Sequence, residues 1–194
     1  AARGEGKTRE AGGCPAVGAE SGEAKVISLK PGERIDDLQR SALGIIQNPS
    51  YFCFGTDAVL LSGFVRASAK ERVADLCTGN GIIPLLLSAK TRAAAIIGVQ
   101  IQPEIADMAR RSVAFNGLEM RIQILTGDLR TRLAGESGSF DVVSCNPPYM
   151  AIGRGEHSQV TSHAIARQEL CCTLGEVVAE IARLLKNGGR AYFV

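Results

Sequence analysis

The chain has 194 residues, of which 45% are hydrophobic and 22% charged. This balance excludes wholesale disorder and fibrous folds and predicts one globular domain, with or without a tail. The net charge is only +2, from 22 Lys and Arg against 20 Asp and Glu, which excludes a strongly basic nucleic-acid coat. A local basic patch would still bind phosphate without a large total charge.

The sequence also limits where the protein works and which ions it holds. No run reaches the roughly 18 apolar residues of a membrane span, and no apolar run follows the early basic residues as in a secretory signal. The six cysteines show no Cys-x-x-Cys spacing and only two histidines are present, so we predict no metal site. We expect a cytoplasmic protein with reduced thiols and no membrane partner.

The first third of the chain divides into two segments by composition. Residues 1–25 are rich in Gly, Ala and Glu and have almost no sizeable apolar side chain, so we predict a disordered leader. Residues 26–70 are expected to be an N-terminal extension with short helices. Within it, segment 36–46 fits either a short helix or a strand, and Thr56 or Asp57 can cap a later helix.

From residue 71 onward, short apolar strands alternate with helices. This order predicts an α/β fold with a doubly wound, mostly parallel sheet and helices on both faces. We assign the ligand-binding domain to 71–194 and expect it to lack its last strands, because the chain stops inside the fifth. Strands are predicted over 72–76, 95–99, 122–125, 140–144 and from 190, and helices over 82–89, 103–115 and 170–185.

A glycine turn, Asp75-Leu-Cys-Thr78-Gly79-Asn80-Gly81, joins the first of these strands to its helix. The glycines let a ligand approach the main chain, where helix N–H groups point. The dinucleotide fingerprint is not met, and a carboxylate before the turn would repel phosphates. The Asp75 carboxylate suits a positively charged ligand, such as the amino acid and sulfonium groups of S-adenosylmethionine. We predict that this cofactor binds to Asp75, Thr78, Gly79, Asn80 and Gly81. The alternative is a plain strand-to-helix turn.

Two further strand ends complete the predicted cofactor site. Gln100 ends the second strand, where nucleoside-binding sheets place an acidic residue on the ribose hydroxyls. An amide bonds a ribose without the strength of a charge-assisted hydrogen bond. Asp128, beside Leu129 after the third strand, is placed to accept from an adenine amino group. A solvated loop carboxylate is the alternative for Asp128.

The tetrapeptide Asn146-Pro147-Pro148-Tyr149 follows the fourth strand. Its two prolines remove donors and fix φ, which holds the backbone carbonyls in one direction. The Asn146 carboxamide oxygen and a nearby carbonyl then form two acceptors for a planar NH2 group, and Tyr149 offers a face for stacking. Acceptors on those hydrogens stabilise the positive charge that develops when an amine is methylated. We therefore predict that all four residues are catalytic, with a rigid Pro-Pro turn as the alternative.

Together these motifs make the chain resemble class I S-adenosylmethionine-dependent methyltransferases that act on amino groups. Three wider stretches, 54–61, 75–84 and 98–102, make it similar to the bacterial tRNA(Val) adenine-N6 methyltransferase family, within the small-domain methyltransferases. The resemblance implies a Rossmann-like methyltransferase fold and S-adenosylmethionine as cofactor, with Asn146 near both the cofactor and the target base. Gln100 departs from the family, which usually has Glu at that position.

The resemblance also implies a substrate, an adenosine of a tRNA anticodon loop that is splayed into the pocket and stacked on Tyr149. Arg130, Arg132, Arg154 and Arg167 are candidates for phosphate contacts, with solvated surface charge as the alternative. Two other functions stay open. One is methylation of a protein glutamine amide, as in release-factor methyltransferases with the same tetrapeptide. The other is a cofactor-binding module, or truncated product, without activity.

Overall fold

A computed structural model describes residues 27–51, 53–147 and 172–194. The predicted leader, Pro148, Tyr149, Arg154 and Arg167 lie outside the described residues. The strands are β1 (Arg34–Asp37), β2 (Gly44–Gln47), β3 (Arg72–Leu76), β4 (Ala95–Gln100), β5 (Ile122–Thr126), β6 (Phe140–Cys145) and β7 (Leu185–Phe193). The helices are α1 (Thr56–Phe64), α2 (Ile82–Lys90), α3 (Pro103–Phe115), α4 (Leu129–Arg132) and α5 (Leu174–Leu184).

Five strands form one parallel sheet in the order β5-β4-β3-β6-β7. The chain moves outward from β3 through β4 to β5, and then returns to place β6 on the other side of β3. Both β3 and β4 are buried along almost their whole length, as expected for strands covered on both faces. The prediction of a doubly wound parallel sheet is therefore confirmed. Its strand order reverses between β3 and β6, and ligands bind at such a switch point.

Side chains alternate between the two faces of the sheet and build two hydrophobic cores. Val73 and Ile96 pack with residues of α1, α2 and α3, whereas their neighbours Ala74 and Ile97 pack with α4 and α5. Phe140 is fully buried in the second core, and the Arg72 guanidinium lies 4.8 Å from the centroid of its ring. Helices thus cover both faces, as predicted.

The segment between residues 26 and 70 differs from the expected short helices. Its first part is an antiparallel hairpin of β1 and β2, and among the described residues of this segment α1 is the one helix. The strand β2 is completely buried because it packs against α3 on one side and into the first core on the other. The side chains of Ser112 in α3 and of Asn116, which follows α3, bond its backbone. Burial of both Ile45 and Ile46 explains why this stretch shows no clear strand period.

The hairpin and α1 pack onto the parallel sheet. Ile45 and Ala58 belong to the same core as Val73. An added Cβ at Gly44 would lie 2.6 Å from the Phe115 ring, so a glycine lets β2 approach α3. The predicted domain boundary after residue 70 is not marked by a break in this core, and it stays a prediction.

The last helix and strand begin at positions that differ from those predicted. The helix α5 starts at Leu174 after a capping box, in which Thr173 and Glu176 bond each other's backbone N–H groups. Regular pairing of β7 with β6 is found from Arg190 onward, after a bulge in which Gly188 has a φ of +79°. The strand predicted from residue 190 corresponds to this regularly paired part of β7. The expected lack of further strands stays a prediction. No helix in the described part of the chain is long and apolar enough to cross a membrane.

Candidate active site

A cavity of about 260 Å³ opens at the switch point, beside the carboxyl ends of β3, β4, β5 and β6. The structure therefore brings four strand ends and the loops that follow them into one site. Asp75 and Gly81 do not line this cavity, and Pro148 and Tyr149 lie outside the described residues. The predicted residues that line it are Thr78, Gly79, Asn80, Gln100, Asp128, Leu129, Asn146 and Pro147.

The glycine turn after β3 presents an open backbone face to the cavity. Gly79 and Gly81 have positive φ angles of +56° and +85°, and Gly81 begins α2. An added Cβ at Gly79 would meet no atom within 4 Å, so that side of the turn is free for a ligand. The backbone N–H of Thr78 donates to the Val99 carbonyl at 3.0 Å and ties the turn to β4. The turn is thus open toward the cavity and fixed on its other side by a hydrogen bond to β4.

Asp75 lies beneath this turn and is fully buried. The Ser144 hydroxyl donates to its Oδ1 at 2.6 Å, whereas its Oδ2 has no hydrogen-bond partner within the described ranges. Burial raises the pKa of Asp75 to about 7, although the Ser144 hydrogen bond favours the charged form. A cation bound above the turn would favour that charged form further. A direct contact of Asp75 with the cofactor stays a prediction.

Gln100 and Asp128 reach the cavity from the ends of β4 and β5. Gln100 is almost fully buried, and its backbone oxygen accepts from Gly127 at 3.0 Å. Asp128 caps α4 and accepts from both the backbone and the guanidinium of Arg130, a pairing that lowers its pKa. Arg130 also bonds Glu176 at 2.8 Å. Asp128 is therefore a carboxylate paired with Arg130, and the exposed Arg130 guanidinium is engaged in ion pairs with Asp128 and Glu176.

The Asn146 amide follows β6 and faces α1. Its Nδ2 donates to Oδ2 of Asp57 at 2.9 Å, and Asp57 lines the same cavity. The prediction that Thr56 or Asp57 caps α1 is wrong, because Gly55 is the N-cap and no side chain bonds there. The role of Asp57 at the site was missed by sequence reasoning. One feature of the sequence could have pointed to Asp57, because it lies inside stretch 54–61, which carries part of the family resemblance.

Apolar side chains that sequence reasoning assigned to no site form much of the cavity wall. They are contributed by the loop before α1, by α1 itself and by the loop and helix after β4. In the sequence they read as ordinary core residues, because their apolar character is the same in both roles. The wall residues of this kind include Phe54, Ala58, Ile101 and Ile105.

Three thiols lie at or beneath the cavity. Cys77 and Cys172 line it, and Cys145 is buried. The contact with Cys145, together with burial, raises the pKa of the Cys77 thiol, and the contact with Cys77 raises the pKa of Cys172. Both thiols therefore stay protonated, and neither is an activated nucleophile. The four described cysteines are free thiols, and no three His, Cys, Asp or Glu side chains among the described residues form a group able to hold a metal.

The strand order and the glycine turn at the switch point define a Rossmann-like methyltransferase fold. Solved structures support this fold. The chain superposes on P. horikoshii TYW2, solved in complex with MeSAdo, with a TM-score of 0.57 and 13% identity over 81% of this chain and 50% of that one. It also resembles geranyl diphosphate C-methyltransferase from Streptomyces coelicolor, with a TM-score of 0.55 and 16% identity over 71% of this chain and 42% of that one.

The chain belongs to the methyltransferase small-domain family, whose model matches residues 45–194. Among curated proteins, it is 30% identical over 141 residues to a tRNA1(Val) (adenine(37)-N6)-methyltransferase of Aeromonas salmonicida, covering 72% of this chain and 58% of that protein. A protein of the same name from Porphyromonas gingivalis is 31% identical over 143 residues, covering 70% and 55%. The chain thus spans a little over half the length of these relatives.

Proposed function

We propose that the chain binds S-adenosylmethionine and transfers its methyl group to the N6 amine of an adenosine in tRNA. The observation that carries this proposal is that one cavity contains both the open glycine turn and the Asn146 amide, whose Nδ2 is bonded to Asp57. Oδ1 of Asn146 is thereby free of that contact and available as an acceptor. A methyl donor on the turn and an amine on Asn146 would meet in this cavity.

The residues of the cavity fit the cofactor. Asn80 is buried, and its Oδ1 has no hydrogen-bond partner within the described part of the chain, so a ligand donor such as the cofactor's ammonium would satisfy it. The open side of Gly79 leaves room for the methionine end. Ile101 and Leu129 offer apolar walls for a purine, and Gln100 lies at the strand end that faces a ribose in nucleoside-binding sheets.

The chemical task of the protein is to make a weak nucleophile react. The lone pair of an exocyclic adenine amine is delocalised into the ring, and the bound cofactor supplies an electrophilic methyl group on its sulfonium. Oδ1 of Asn146 accepts from one amine hydrogen, and the backbone before Pro147 offers a carbonyl for the other. These acceptors favour a pyramidal nitrogen and stabilise its developing positive charge. In this proposal Tyr149 stacks on the base and Pro148 holds the loop.

The choice of an RNA adenine rests on the relatives. The curated proteins of similar sequence are named as tRNA1(Val) adenine-N6 methyltransferases, and the family model covers the glycine turn and the Asn146 loop. This supports an aromatic amine in RNA over a protein glutamine amide. The protein glutamine amide is retained as an outcome of the test.

The test uses labelled S-adenosylmethionine with an unmodified tRNA1(Val) transcript and, separately, with ribosomal and release-factor proteins. We expect label in the RNA, at an adenine N6. Asn146→Ala should lower the transfer rate at least about 100-fold and leave the cofactor Kd within about threefold, because its acceptor acts on the developing charge. Asn187→Ala, which removes an exposed asparagine far along the chain, should retain full transfer.

Other outcomes would contradict the proposal. Label in protein but not in RNA would replace tRNA by a protein glutamine as the acceptor. Equal losses of transfer and cofactor affinity in Asn146→Ala would contradict the role given to its amide. Absence of cofactor binding in calorimetry would exclude methyl transfer by this chain altogether.

A further inference from the structure

We infer that Asp57 is a positioning residue that holds the Asn146 side-chain amide in one of its two orientations, with the oxygen available to the acceptor amine. This inference rests on the proposed function, because the orientation matters for an amine that is to be methylated. It assigns to α1 a part in the reaction in addition to its part in the core.

The chemistry of the contact selects the orientation. Asn146 Nδ2 lies 2.9 Å from Oδ2 of Asp57. An ionised carboxylate only accepts hydrogen bonds, whereas an amide has a donating end and an accepting end. The amide therefore turns its NH2 toward Asp57, and Oδ1 is directed elsewhere. The reverse orientation would place two oxygens against each other and offer N–H donors, rather than an acceptor, to an incoming NH2 group.

Gly55 has no side chain and so leaves room for the Asp57 carboxylate. A Cβ added at Gly55 would lie 2.5 Å from Oδ1 of Asp57, which is far too close. Gly55 has a φ of −98°, so its backbone conformation does not require glycine, and as the N-cap it makes no side-chain hydrogen bond. Serine, aspartate or asparagine would cap the helix better. The lack of a side chain at position 55 is thus explained by the carboxylate at position 57.

A structural role alone would explain an acid in the first turn of α1, where the helix dipole favours negative charge. The chain offers a matched comparison, because Glu104 occupies the first turn of α3 and is exposed. Glu104→Gln removes a carboxylate from a helix start without touching Asn146. Any effect that Asp57→Asn shows beyond Glu104→Gln is therefore not an effect of the helix dipole.

The contact also strengthens the acceptor. A negative charge on the NH2 side of an amide polarises it and increases the electron density on Oδ1, since hydrogen bonds in a chain reinforce one another. Asp57 lines the cavity itself, so its charge acts on the same developing positive charge as Oδ1 does. Asn at position 57 could either donate or accept, and both orientations of Asn146 would then be populated.

Kinetics with the tRNA1(Val) transcript test the consequence for transfer. Asp57→Asn should lower kcat about tenfold while the cofactor Kd stays within about twofold, since an interaction made with the reacting group changes kcat rather than ground-state binding. Gly55→Ala should lower kcat similarly, although Asp57 is still present. Glu104→Gln should retain the wild-type kcat. Unchanged kcat in Asp57→Asn, or a loss of cofactor affinity equal to the loss of kcat, would overturn the inference.

A second measurement needs neither acceptor nor activity. In protein with labelled side-chain amides, the resonances missing from Asn146→Ala identify the Asn146 NH2 group by NMR. These resonances should move in Asp57→Asn and Gly55→Ala and stay in place in Glu104→Gln, with thermal melting confirming that all variants fold. If they do not move, the inference is overturned whatever the acceptor is. If they move while the wild type methylates nothing, the positioning contact stands and the proposed function falls.

Discussion

The buried carboxylate of Asp75 should make the stability of the protein depend on pH in an unusual direction. Its folded-state pKa is about 7, whereas the ordinary value is 3.8. Below about pH 3 the group is largely protonated in both the folded and the unfolded states and contributes almost no difference. Between about pH 4 and 7 the unfolded state releases the proton while the folded state keeps it, so stability falls as the pH rises.

The magnitude follows from the shift. Three pKa units at about 1.36 kcal/mol each correspond to roughly 4 kcal/mol, lost progressively up to about pH 8. Asp75→Asn does not titrate and keeps an oxygen for the Ser144 hydroxyl. Its NH2 group replaces Oδ2, which has no partner within the described ranges, at a cost of about 1–3 kcal/mol at every pH. Near pH 5 the wild type has already lost roughly 2 kcal/mol of this total, so relative to the wild type the variant should gain about 2–3 kcal/mol between pH 5 and 8 and be the more stable protein near pH 8.

Urea unfolding of both proteins from pH 5 to 8 measures this difference. Carboxylates whose pKa is lowered by ion pairs, such as Glu33 and Asp107 with Arg111, oppose the trend but occur in both proteins and cancel. A difference between wild type and Asp75→Asn that stays flat from pH 5 to 8 would refute the argument that burial holds a proton on Asp75.

Two further substitutions test the walls of the cofactor site. Gln100→Glu should lower the cofactor Kd about five- to tenfold in calorimetry, because a carboxylate gives a ribose charge-assisted hydrogen bonds; unchanged or weaker binding would mean that this position does not reach the ribose. Gly98→Ala should destabilise the fold by about 1–3 kcal/mol in urea unfolding and weaken cofactor binding, since its Cβ would lie 2.9 Å from Thr78 Oγ1. Gly63→Ala is the control, because an added Cβ at Gly63 would meet no atom within 4 Å. If Gly98→Ala kept the wild-type cofactor affinity, Thr78 would have no part in cofactor binding.

The parallel sheet was predictable because its central strands, β3, β4 and β6, are short apolar runs buried on both faces. Such runs, separated by turns and amphipathic helices, leave few alternative folds. The hairpin was not predictable in the same way. In β2, Ile46 packs against α3 and Ile45 packs into the first core, and the partner groups on Ser112 and Asn116 lie far along the chain. The hydrophobic pattern of residues 44–47 gives no information about partners more than 60 residues away in the chain.

That the two predicted motifs meet at one cavity was predictable from the sequence, whereas the roles of their residues stay predictions. The glycine turn and the Asn146 loop line one cavity, because both follow strands that end at the same edge of the sheet. Asp57 could not be found in this way, since nothing near it in the sequence indicates that its partner is the Asn146 amide, which follows β6. Asp128 and Arg130 are only two residues apart, so both members of the ion pair were visible in the sequence. A loop carboxylate near an arginine can adopt many geometries, however, and the pairing itself could not be predicted.

The segment before residue 70 holds the site together from two sides. Gln47 of β2 accepts from Asn80 Nδ2 at 3.4 Å and from the Phe54 backbone at 3.2 Å, and so links the glycine turn to the loop that precedes α1. Asp57 in α1 then bonds Asn146. The turn that would receive the methyl donor and the amide that would receive the acceptor are therefore fixed relative to each other through residues that belong to neither motif. A domain cut after residue 70 would retain both motifs and lose the contacts that align them.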